Sequence, residues 1–196
     1  MEKELNLYHE KQFLQFCAKH TLNNLYQQHL FTWTKLNYIA HKLTPNFIFN
    51  PHRSIFLIGN YDVNVIMKAV EVIKSRNKTT KTDTDSNVKK YKIFYGQNAY
   101  ERDFNIKWHD SRKEFNEELA HESFGFILNL SSGGIFGTFK KNHWIAMRKM
   151  SDGYFYNLNS ELERPKRFDA IEDFLDFVNT EIKDHGAQLL IVMKCF

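Results

Sequence analysis

A chain of 196 residues suits one compact domain with one sizeable core, and 42% hydrophobic residues with 18 Phe point to a Phe-rich globule. Two cysteines, Cys17 and Cys195, with no Cys-x-x-Cys pair, argue against a disulfide framework and against a structural zinc site. The net charge of +4 comes largely from one Lys-rich stretch in the middle of the chain, so it describes no basic face and does not indicate nucleic acid as a partner.

Met1-Glu2-Lys3-Glu4 opens the chain without an apolar region, and the longest apolar run, residues 189–193, is only strand length. A cytoplasmic protein, also compatible with the nucleus and without stable membrane insertion, is expected. Residues 1–12 are polar. From Phe16 the pattern turns helical, with Ala18, Leu22, Leu25 and Tyr26 on one stripe and Asn23 and Asn24 off it. His20, Asn23 and Asn24 read as helix-surface polar groups without a role. Thr32 is an N-cap for a second helix carrying Leu36, Ile39, Ala40 and Leu43, which Pro45 ends. Asn60 or Asp62 caps a third helical stretch with Val65, Ile66, Ala69, Val70 and Ile73.

Residues 75–90 are almost without apolar side chains and read as a solvated, low-complexity insertion, placed overall at about 75–105. The Asp83 to Asn87 stretch fails as a calcium loop, because Val88 stands where the turn needs Gly and Phe94 where a bidentate Glu is needed. No metal and no cofactor is expected. Residues 91–108 are aromatic but give no firm element. Residues 124–130 form an apolar strand closed by Ser131-Ser132-Gly133-Gly134. Residues 144–150 and 154–158 form a hairpin around Ser151-Asp152-Gly153. After Pro165, the stripe Ile171, Phe174, Leu175, Val178 and Ile182 is a helix that Gly186 stops, and residues 187–193 are a buried last strand. Helices followed by a mainly antiparallel sheet with one late helix make an α+β domain, with no repeat and no second domain.

A cysteine nucleophile needs a thiol pKa lowered by a helix head or an imidazolium, donors facing the oxyanion, and a group that orients the imidazole. Cys17 stands at the start of the first helical stripe, where unpaired N–H groups favour an anion. Position alone favours a small buried packing residue instead, and more strongly still for Cys195. Of nine histidines, His143 opens a hairpin strand whose return strand carries Asn157 and Asn159. The alternation leaves both Asn open as its orienting partner. A two-residue Asp152-Gly153 turn would set Asn159 opposite Ala146, about 10 Å along the strand from His143, so a longer loop or bulge is required. Gln12, five residues before Cys17, carries an amide able to join the Cys17 N–H in an oxyanion hole.

Tyr8 to Gln12, Cys17-Ala18-Lys19-His20 and Leu22-Asn23-Asn24-Leu25 together resemble the opening of the Josephin family of papain-like cysteine proteases. Asn50-Pro51-His52-Arg53-Ser54, Gly59 to Met67, Trp108 to Arg112, Gly125 to Leu130, His143-Trp144-Ile145 and Tyr156 to Ser160 continue the resemblance in order, outside roughly residues 75–105. It implies a papain-like α+β fold, hydrolysis of bonds at the C-terminal glycine of ubiquitin, and ubiquitin and ubiquitinated proteins as partners. By motif match Cys17 takes the nucleophile position, His143 the base, Gln12 the oxyanion donor and Asn159 the orienting position. The hairpin is one residue longer than is usual in that family. This keeps a second class open: a catalytically weak ubiquitin-binding module of the same fold.

Overall fold

A computed structural model describes residues 5–45, 50–54, 59–73, 103–132 and 141–195. Three helices come first: α1 (Cys17–Tyr26), α2 (Trp33–Leu43) and α3 (Val63–Glu71). Then follow β1 (Phe104–Trp108), α4 (Glu117–Glu122), β2 (Gly125–Ser132), β3 (Lys141–Lys149), β4 (Phe155–Asn157), β5 (Lys166–Arg167), α5 (Ile171–Lys183) and β6 (Gln188–Lys194). Thr32 caps α2 by accepting the Lys35 N–H, and Asp62 caps α3 by accepting that of Val65. Asn60 has φ of +56° and stands too early in the chain to cap. Gly186, at φ of +66°, turns the chain out of α5 and into β6.

The six strands pair in the order β1-β6-β2-β3-β4-β5, every pair antiparallel. Both faces are covered. Ile127, Trp144, Ala146, Leu190 and Val192 meet the three N-terminal helices on one face. Phe126, Leu128, Ile145, Met147, Leu189 and Ile191 meet α4 and α5 on the other. Double burial is why β2 and β6 read as continuous apolar runs instead of alternating ones. The Phe-rich core lies on the second face, where Phe155 stacks on Phe174 with centroids 4.2 Å apart and Phe115, Phe126 and Phe168 meet Phe174 edge-on or tilted.

Three expectations change. β1 begins at Phe104, inside the expected end of the polar insertion; the rest of that insertion lies outside the described residues, as do Gly133 and Gly134. α1 is buried on nearly every side, and His20, Asn23 and Asn24 are 4%, 0% and 0% exposed, so they are interior groups and not surface ones. The hairpin turn is also longer than the Asp-Gly pair alone. Gly153 sits at φ of +90°, its N–H donates to Met150 O at 3.0 Å, and Met150 N–H donates to Tyr154 O at 2.9 Å. This pairs Met147 with Asn157 and brings Asn159 to the level of Ile145. The chain is thus one residue closer to His143 than a two-residue turn would allow.

Candidate active site

Cys17 is the first residue of α1, and Phe16 in the capping position offers no side-chain acceptor. The first-turn N–H groups are therefore free of the usual Ser, Thr or Asp cap. A local rule broken at a helix head is the kind of feature found at functional sites. One turn on, the buried Thr21 hydroxyl donates to Trp144 O at 2.7 Å. The Trp144 backbone also favours the charged form of the Cys17 thiol. α1 is thereby fixed on β3 at the residue next to His143, and Trp144 Nε1–H donates to Tyr61 O at 3.2 Å to hold β3 from the α3 side.

His143 lies on β3 and is 9% exposed. Its Nε2 is 2.7 Å from Asn159 Oδ1. Asn159 Oδ1 also accepts the Glu161 N–H at 2.9 Å, which sets the amide oxygen, not its NH2, toward the ring. Nε2 is then the protonated nitrogen and Nδ1 the acceptor. Asn157 plays a different part. Its Oδ1 accepts the Asn159 N–H at 3.0 Å and bends the chain out of β4. These two side-chain turns cover the remaining separation of about 7 Å along the strand.

Gln12 is tied to the same turn. Its N–H donates to Ser160 O at 2.6 Å, and Ser160 Oγ–H donates to Gln12 Oε1 at 2.8 Å. Its NH2 donates to Leu14 O at 2.8 Å and retains a second hydrogen. Leu14 takes φ of +51°, a left-handed conformation that is strained for a branched residue. Phe13 and Leu14 stand out from the surface, 66% and 55% exposed.

Burial pushes the Cys17 thiol up, against hydrogen bonds from the backbones of Trp144, Ala18 and Cys17 itself that lower it, and the Glu161 charge raises it further. Burial thus outweighs the backbone groups at the helix head. Cys195 is exposed, and neither cysteine is in a disulfide. Among the described residues no group of three or more His, Cys, Asp or Glu is arranged to hold a metal ion, and no helix is long and apolar enough to cross a membrane.

Sequence reasoning misses the support beneath the site. The Glu10 carboxylate accepts hydrogen bonds from Tyr8, His20, Asn23 and His29 and pairs with Lys19 at 3.2 Å. Asn24 donates to Glu10 O and to Leu158 O and accepts the Glu10 N–H, joining the N-terminal strap to the segment leading into Asn159. One signal points to it: Lys19 is the sole formal charge in the ten residues of α1, too few for a helix with a solvent face.

The Josephin family model matches residues 12–100 and 73–193. The chain belongs to the Josephin family. It carries that family's papain-like α+β fold, a ubiquitin-protease fold. Josephin-2 of Homo sapiens is 34% identical over 191 residues, covering 95% of this chain and 86% of the relative. A Josephin-like protein of Drosophila melanogaster is 32% identical over 192 residues, covering 94% and 73%. One of Arabidopsis thaliana is 32% identical over 193 residues, covering 89% of this chain and 45% of that relative.

Proposed function

We propose that this Josephin chain is a thiol-dependent ubiquitin hydrolase, with Cys17 as nucleophile, His143 as base and acid, Asn159 as the orienting amide and Gln12 as an oxyanion donor. The observation that carries the reading is the 2.7 Å contact from His143 Nε2 to Asn159 Oδ1, on the strand whose next backbone unit, Trp144, favours the Cys17 thiolate. A buried thiol pushed up in pKa suits base-assisted attack: His143 Nδ1 takes the Cys17 proton as sulfur bonds to the carbonyl carbon of the ubiquitin C-terminal glycine. The oxyanion lies between the Cys17 N–H and the free hydrogen of the Gln12 amide. As the C–N bond breaks, the proton on His143 passes to the leaving lysine amine. Water then gives its proton to His143 and its oxygen to the thioester carbon, and Cys17 leaves as the thiol.

The test uses ubiquitin carrying a C-terminal fluorogenic amide. Cys17→Ala abolishes turnover and leaves ubiquitin binding in place; Gln12→Ala lowers turnover by about 10²-fold. Full activity in the Cys17→Ala protein refutes the assignment. A second reading, a ubiquitin-binding module with little catalysis, draws on the raised thiol. It predicts binding of a ubiquitin probe with an electrophilic tail but no Cys17 adduct.

A further inference from the structure

The Glu161 side chain has no part in the catalytic roles proposed above, yet its carboxylate Oε2 lies 3.7 Å from His143 Nε2, the nitrogen that Asn159 engages. Its backbone N–H meanwhile orients the Asn159 amide. The same side chain walls an open cleft of about 410 Å³ with Lys11, Gln12, Ser160, Leu162 and Glu163. An amide oxygen can fix an imidazole but brings no net charge to balance an imidazolium; a carboxylate does. We infer that Glu161 is a positioning residue that supplies the negative charge Asn159 lacks, and so sets the pH range over which the Cys17–His143 pair is charged. The inference rests on the catalytic reading of Cys17 and His143 above.

The groups around the pair can be named by element, among the described residues. α1 contributes Cys17 itself. The turn after β4 contributes Glu161 and Glu163. The N-terminal strap contributes Lys11, which is held by Glu163 at 3.1 Å, and His9, whose Nε2 lies 3.1 Å from Leu162 O. β2 sets the uncharged Leu130 opposite His143. The segment before α3 contributes Tyr61, whose hydroxyl is turned to Trp33 O and Asn37. Glu161 is thus the carboxylate nearest to the ring. A negative charge beside two coupled sites makes both protons harder to remove, and the titrations belong to the pair. With Nδ1 turned to the sulfur, as the catalytic reading has it, a charge 3.7 Å from Nε2 lies on the far side of the ring and so also favours the imidazolium–thiolate form over the neutral one.

The experiment follows alkylation of Cys17 by iodoacetamide against pH, read by mass on the Cys17 peptide so that Cys195 does not enter. In Glu161→Gln both steps of the profile move to lower pH by about half a unit, a size discounted for solvent around a side chain that is 51% exposed. Turnover of the fluorogenic ubiquitin at neutral pH falls about fivefold. Adding Asn159→Asp to Glu161→Gln restores a charge on the same nitrogen and moves both steps back up. A Glu161→Gln profile that overlays the wild type overturns the inference. So does a change that Asn159→Asp fails to reverse while the melting temperature drops, because the role is then structural. Failure of the wild-type protein to form an adduct with the electrophilic ubiquitin probe would defeat the functional reading instead. The alkylation profile still decides the role of Glu161, since it needs no ubiquitin.

Discussion

The Ser160 hydroxyl belongs to a residue that is 2% exposed, and it donates its proton to Gln12 Oε1, with the main chains of the same two residues joined at 2.6 Å. It leaves the Gln12 NH2 no choice of direction. Ser160→Ala releases the amide to rotate. Turnover of the fluorogenic ubiquitin falls about tenfold with KM nearly unchanged, as for other groups that act by orienting a site residue. Stability changes by only about 1 kcal/mol. Unchanged kcat would remove the orienting role. Cys17, Gln12 and His143 are legible in the sequence through the ordered motifs that surround them, not through residue type alone. The roles of Ser160 and Glu161 are not: each acts through a fold-back of the chain after β4, and Ser160 reaches across 148 positions to Gln12. The direction of the Cys17 shift is likewise hidden in the sequence, since it depends on how deeply α1 is covered.

At the scale of elements, the strap before Cys17 is fixed by a close backbone crossing. Gln15 and Gly59 form an isolated parallel bridge, and Asn60 N–H donates to Gln15 O at 2.7 Å. Gly59 has φ of +107°, and a Cβ there would lie 2.3 Å from Gln15 O, a backbone atom that cannot swing aside. Gly59→Ala therefore displaces the 13–16 segment. Its expected cost of about 3 kcal/mol appears as a melting temperature lower by about 6–12 °C, with slower Cys17 alkylation in the folded protein. A fully stable, fully reactive variant would show that the crossing is not needed. The helices α2, α3 and α5 are legible because a stripe coincides in each with a cap or a stop. β1 is also legible in principle: Phe104, Ile106 and Trp108 alternate with Asn105 and Lys107, and the first two are buried. The polar stretch that precedes it masks the alternation. α4, at six residues, and β5, at two, are too short for periodicity to register.

Across the whole molecule, Glu10 ties the strap, α1 and the α1–α2 connection to one carboxylate that is 13% exposed. Burial pushes its carboxyl up, but the hydrogen bonds from His20, Tyr8 and His29 and the Lys19 ammonium outweigh that and hold it well below the usual carboxylate range. The network needs the charge. Glu10→Gln keeps the shape, loses the acceptor strength and leaves Lys19 without its counter-charge, at a cost of about 3 kcal/mol near neutral pH. The sign of the pH dependence follows from the depressed pKa. A carboxyl lowered by folding stabilises fully above its unfolded pKa of about 4.3, and that contribution drains away as pH falls below it. Urea unfolding of wild type and Glu10→Gln, followed by tryptophan fluorescence, therefore shows its full gap at pH 7 and at pH 5.5. The gap narrows steadily from pH 4.5 to pH 3. A gap that stays constant down to pH 3 would show that Glu10 acts by shape alone. A gap absent at pH 7 would show that the strap is held by Asn24 and Ser160 without it. Because Asn24 bonds both Glu10 and Leu158, the loss is also expected in the site: Glu10→Gln slows Cys17 alkylation at pH 7, where the protein is still folded, by loosening the segment that presents Asn159 to His143.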